Sequence, residues 1–93
     1  MNTSTETILQ ERGKRYGSFI DNASTSQALK RTMADHLSKA GTQLADDQWE
    51  AMENIAQKLA RIINGDPDYH DNWADIAGYS KLVADRLETG ETK

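Results

Sequence analysis

The stretch Asp46-Asp47-Gln48-Trp49-Glu50-Ala51-Met52-Glu53-Asn54-Ile55-Ala56-Gln57-Lys58-Leu59-Ala60-Arg61-Ile62-Ile63-Asn64 decides the fold. Trp49, Met52, Ile55, Ala56, Leu59, Ile62 and Ile63 recur at spacings of three and four, the period of one helical face. Glu50, Glu53, Asn54, Gln57, Lys58 and Arg61 cover the opposite face. Asp46 or Asp47 opens the helix, where negative charge favours the positive end of its dipole. Asn64-Gly65 stops it, and Pro67 prevents its continuation.

Working outward, the same period predicts three more helices. The C-terminal one spans about 71–88, starting near Asp71 or Asn72. Trp73, Ile76, Ala77, Val83, Ala84 and Leu87 form its main apolar face. A second stripe, Asp71, Asp75, Tyr79, Leu82 and Arg86, places Tyr79 and Leu82 where an amphipathic surface helix rarely has apolar groups. That face packs on something too, a subunit partner or the first helix, or it lines a site. A helix over about 23–39, capped by Asp21 or Asn22, carries Leu29, Met33 and Leu37 every four residues and ends at Gly41. A short helix over about 5–12 carries Ile8 and Leu9 and ends at Gly13. Residues 13–19 read as a loop, because Gly13 and Gly17 within five residues disfavour helix. The expected architecture is an all-α, bundle-like single domain over 1–93, with one short and three longer helices and frayed ends at 1–4 and 89–93.

Composition bounds the function. At 93 residues with 37% hydrophobic content and a mean hydropathy of −0.79, the chain makes only a modest core. Burial through self-association is therefore expected. Cysteine is absent, which excludes disulfides and cysteine-rich zinc sites. Residues 1–6 have neither a basic nor an apolar segment of the secretory kind, and no apolar run approaches the roughly 20 residues of a membrane span. A cytoplasmic protein is expected. The net charge of −4 argues against general nucleic-acid binding. Yet residues 1–31 hold Arg12, Lys14, Arg15, Lys30 and Arg31 against only Glu6, Glu11 and Asp21. That third of the chain either scatters its charge over the surface or attracts a small anion.

Chemistry-bearing groups are sparse. No serine sits in a G-x-S-x-G context, and His36 and His70 have no metal-pair spacing, so both read as surface histidines. Glu50/Glu53 and Asp71/Asp75 each project from one side of a helix, a pattern that suits either solvated surface or Mg²⁺. Asp71 and Asp75 are the candidate metal ligands. Asp75, beside Tyr79, needs a partner, and across a hairpin closed by residues 65–70 that partner is Lys58 or Arg61. The pair is either structural or part of a phosphate pocket. The segment Arg12-Gly13-Lys14-Arg15-Tyr16-Gly17-Ser18 lacks P-loop spacing but combines backbone donors, cations and a stacking ring. It reads as a plain connector or as a phosphate and base contact. The candidate ligand-binding set is Lys14, Arg15, Tyr16, Lys58, Arg61, Asp75 and Tyr79.

The ordered strings Glu11-Arg12-Gly13-x-x-Tyr16-Gly17-x-Phe19, Lys58-x-x-Arg61 and Asp71-Asn72-Trp73-x-Asp75-Ile76-Ala77-Gly78-Tyr79 resemble a family of small phage and prophage proteins over residues 11–87. That family is in turn similar to the all-α MazG-type nucleotide pyrophosphohydrolases. The resemblance implies Mg²⁺ held by E-E-x-x-E and E-x-x-D motifs and cleavage of nucleoside triphosphates. Here only Asp75 of Asn72-x-x-Asp75 matches the second motif, and Lys58-x-x-Arg61 stands where acidic ligands belong. Two cations repel Mg²⁺, so pyrophosphohydrolase activity is expected to be weak or lost. The resulting expectation is a phage-encoded protein of the host cytoplasm that binds a nucleotide or another phosphorylated small molecule and forms a homo-oligomer. The alternative is a phage accessory or anti-defence protein that binds and inhibits a host protein.

Overall fold

The computed structural model describes residues 4–90. They form α1 (Thr5–Tyr16), α2 (Phe19–Ala40), α3 (Asp46–Asn64) and α4 (His70–Thr89), with no strand among them. The all-α expectation holds, and the bounds of α3 are those of the apolar period. Among the described residues no helix is long and apolar enough to cross a membrane. Of the ends expected to fray, Ser4 caps α1 and accepts from the Thr7 amide at 3.1 Å. Thr89 closes α4, and 1–3 and 91–93 lie outside the described residues.

The predicted loop over 13–19 is mostly helix. Gly13 lies inside α1, and the helix continues through Lys14, Arg15 and Tyr16. A mid-helix glycine costs only about 1 kcal/mol, and the last turn gains two basic residues at the negative end of its dipole. The break falls at Gly17, whose φ of 83° suits glycine. Ser18 then caps α2 in place of Asp21 or Asn22, accepting from the Asp21 amide at 3.1 Å. α3 starts after Ala45 rather than at a capping aspartate, and the Gln48 side chain accepts from the Ala45 amide at 2.8 Å.

α3 is the spine: α2 and α4 each pack on it, and α1 leans on it near the Gly17 turn. The three longer helices form a layer one helix deep, with extents of 53 × 29 × 21 Å. The radius of gyration is 15.9 Å, against about 12 Å for a compact chain of this length. The buried apolar residues are Ala51, Ala56 and Ala60, all on α3, and their small side chains let the flanking helices approach closely. On α4 the residues turned towards α3 are Asn72, Ile76, Tyr79, Val83 and Arg86. This corrects the expected main face, because Trp73 and Leu87 are half exposed.

Two ion pairs tie α3 to α4. Arg86 grips Asp47 with two bonds, Nε to Oδ2 at 2.9 Å and Nη2 to Oδ1 at 2.6 Å, and both side chains are largely buried. Lys58 Nζ lies 3.1 Å from Asp75 Oδ2, with Asp75 half exposed.

A close backbone contact joins the α1–α2 turn to the α3–α4 turn. The Asp66 amide donates to the Arg15 carbonyl at 3.0 Å. Asn64 Nδ2 lies 3.0 Å from Thr25 Oγ1, 3.3 Å from the Asp21 carbonyl and 3.1 Å from the Ala60 carbonyl. The Asn22 amide group donates to the Tyr16 carbonyl. A Cβ on Gly17 would stand 2.5 Å from the Asn64 carbonyl oxygen, and one on Gly65 would stand 2.5 Å from that of Arg15. Gly17→Ala is therefore expected to cost more than about 2 kcal/mol, through both the clash and the left-handed φ. Gly13→Ala, with nothing within 4 Å of its Cβ, is expected to stabilise by about 0.5–1 kcal/mol. Urea unfolding of the two variants beside the wild type measures both.

Candidate functional site

The glycine crossing carries the C-terminal half of α1 across the start of α2 and the last turns of α3. A groove of ≈ 860 Å³ opens between these three helices. α1 contributes Leu9, Arg12 and Tyr16, α2 contributes Asn22, Ser26, Gln27 and Lys30, and α3 contributes Gln57 and Arg61. Ser18 and Phe19, at the turn into α2, close one end.

Helical geometry explains the convergence. Arg12 and Tyr16 are four residues apart in a continuous helix and so share a face. Ser26 and Lys30 do the same on α2, and Gln57 and Arg61 on α3. The Tyr16 ring holds two guanidiniums, Arg12 at 4.9 Å and Arg61 at 4.7 Å from its centroid. Such stacking orients the cations and leaves their N–H edges free to donate. Tyr69 meets Tyr16 edge-on at 5.6 Å, and the Arg15 guanidinium lies 5.2 Å from the Tyr69 ring.

The lining is charged in one sense. Arg12, Lys30 and Arg61 face the groove, and no carboxylate lines it among the described residues. No described carboxylate forms an ion pair with any of these three cations. The Ser26 hydroxyl, in a residue only 5% exposed, has no hydrogen-bond partner among the described residues. An orphaned buried polar group of this kind is costly, and such groups cluster where a ligand or water completes them. Electrostatically and sterically the groove suits an elongated anion with several oxygen acceptors.

Of the residues singled out in the sequence, Tyr16 and Arg61 lie in this groove. Lys14 is exposed on α1 outside its lining. Arg15 points to Tyr69 and pairs with Glu11 at 3.7 Å. Lys58 faces α4 and pairs with Asp75. Asp75 and Tyr79 line a separate shallow groove of ≈ 400 Å³ with Leu82, and α1 does not cover it. Asp71 accepts from the Tyr69 hydroxyl at 2.9 Å. That bond, followed by the Tyr16 hydroxyl, raises the Tyr69 pKa above its ordinary value. Asp71 and Asp75 thus have different partners, and no three described His, Asp or Glu side chains converge as a metal-binding group. Arg12 belongs to the glycine segment read as a connector or a phosphate contact, whereas Lys30 enters the sequence reading only through the basic bias of residues 1–31.

The profile of a domain of unknown function, DUF6378, matches residues 1–87. No curated protein and no solved structure matches the chain.

The two α3–α4 ion pairs differ enough in burial to be told apart by mutation. Asp47→Ala strands a largely buried arginine and is expected to cost about 2–3 kcal/mol. Asp75→Ala, at a half-exposed carboxylate, is expected to cost about 1 kcal/mol or less. Chemical denaturation of both variants checks the order.

Proposed function

The chain belongs to the DUF6378 family, and from its groove we propose that it binds a nucleotide or another phosphorylated small molecule. The observation that carries this reading is the lining itself: Arg12, Lys30 and Arg61 from three helices, with no carboxylate among the described residues. Arginine offers a planar fork to phosphate oxygens and lysine a point charge. Phe19, 85% exposed at the groove's end, offers a base a stacking surface. Kinship with MazG-type enzymes and a phage or prophage origin rest on the residue strings and belong to this proposal. The carboxylates that hydrolysis would need are absent from the groove, so binding without turnover is the form proposed. Calorimetric titration with nucleoside mono-, di- and triphosphates and cyclic dinucleotides tests it. Binding is expected to weaken with salt. Lys30→Gln is expected to weaken it roughly tenfold or more. Ser26→Ala is expected to weaken binding while leaving the melting temperature of the free protein unchanged or raised, because it removes an unsatisfied hydroxyl. If no ligand binds below millimolar concentration, the reading fails. Capture of a host protein, favoured by the exposed Phe19 and Ile20, then takes its place.

We also propose that two copies associate through the face of the layer opposite the groove. At about 100° per residue, Met52, Ile55, Leu59 and Ile63 of α3 point to the side opposite Gln57 and Arg61. Trp73, Ala77, Ala84 and Leu87 of α4 turn to that same side. Ile63, Trp73 and Leu87 are each more than half exposed. The chain exposes 6724 Å², where a compact protein of its mass exposes about 5,400 Å². The excess is of the order of one protomer's share of a standard interface, about 800 Å². Light scattering at tens of micromolar is expected to give twice the 10.4 kDa of the chain or a higher multiple, and Leu59→Glu to lower it. A wild-type mass of one chain counts against association.

A further inference from the structure

Three cations reach one groove from three separate helices, no carboxylate lines it among the described residues, and four nearby acidic side chains have partners of their own. Glu11 is 3.7 Å from Arg15, and Asp75 is 3.1 Å from Lys58. Asp71 accepts from Tyr69, and Glu50 accepts from the Asn54 side chain at 3.2 Å. A hard divalent cation wants oxygen ligands, carboxylates above all, whereas this lining repels it. Polyphosphate chains ordinarily travel with Mg²⁺ bridging their oxygens, which cancels two of their charges and occupies the same oxygens that arginine would grip.

Resting on the phosphate-binding reading above, we propose that the groove selects the metal-free form of a linear di- or triphosphate and rejects its magnesium chelate. Arg12 and Arg61, stacked on Tyr16, take the place that Mg²⁺ would hold on neighbouring phosphoryl groups. Lys30 meets a further oxygen from α2. The Ser26 hydroxyl, buried in the groove wall and without a partner among the described residues, donates to the chain. It is an observation independent of the cations. Selectivity of this kind makes occupancy depend on free Mg²⁺ as well as on ligand concentration.

The experiment is calorimetric titration of the full chain with sodium tripolyphosphate and, separately, with ATP. Each titration is run in EDTA and in excess Mg²⁺ at matched ionic strength, so that general screening is equal in both. Dissociation constants at least tenfold lower in EDTA are expected for both probes. Tighter binding of ATP than of tripolyphosphate would assign a nucleoside contact to the groove, and equal binding would assign the phosphate chain alone. Both results are consistent with the proposal provided the Mg²⁺ penalty is present. Binding that is equal or tighter in Mg²⁺ overturns it while leaving the phosphate reading standing. Absence of binding in both buffers overturns the phosphate reading and this inference with it. Lys30→Gln, checked for native helicity and melting temperature, is expected to shrink the ratio between the two buffers. An unchanged ratio places the polyanion outside the groove and also overturns the proposal.

Discussion

The crossing of the Gly17 and Gly65 turns is the contact on which the rest of the arrangement depends. Two backbones meet there with no room for a side chain on either glycine. Asn64 holds the junction with one side-chain amide shared among acceptors on α2 and α3, and the Asp66–Arg15 backbone bond closes it. α1 has no buried residue of its own, so this junction, more than packing, sets where α1 lies. The position of Arg12 and Tyr16 over the groove follows from it.

Most of the helical content was legible because the cues are local. The three- and four-residue period of Trp49 to Ile63 is a property of neighbours along the chain, and α3 follows it from Asp46 to Asn64. Glycine propensity alone reads residues 13–19 as a loop, and the tertiary contact that sets the break at Gly17 leaves no local mark in the sequence. Gly13 and Gly17 look alike in sequence, yet one lies inside α1 and the other against Asn64. The inner face of α4 was misjudged for a related reason. Trp73 and Leu87 are as apolar as Ile76 and Val83, and only the position of α3 decides which pair turns inward.

The groove was half legible. Tyr16 and Arg61 carry a ring and a guanidinium whose pairing spans α1 and α3, and the residue strings brought both forward. Arg12 shares a helical face with Tyr16 because α1 runs past Gly13, and a loop over 13–19 conceals that alignment. Lys30 and Ser26 carry no local mark, since a lysine and a serine on a polar helix are ordinary until the neighbouring helices enclose them. Of the two partners expected for Asp75 across the hairpin, Lys58 or Arg61, it is Lys58 that meets it, on the side of α3 that faces α4.

A layer one helix deep has a dynamic consequence. α2 and α4 each rest on α3, so each can open without the other. Amide hydrogen exchange should then slow most along α3 and faster exchange should divide into two units that report separately on the α2 and α4 flanks. A molecule held between α1, α2 and α3 would close the first unit and leave the second as it was. The spine helix thus allows one edge of the protein to tighten while the other keeps breathing.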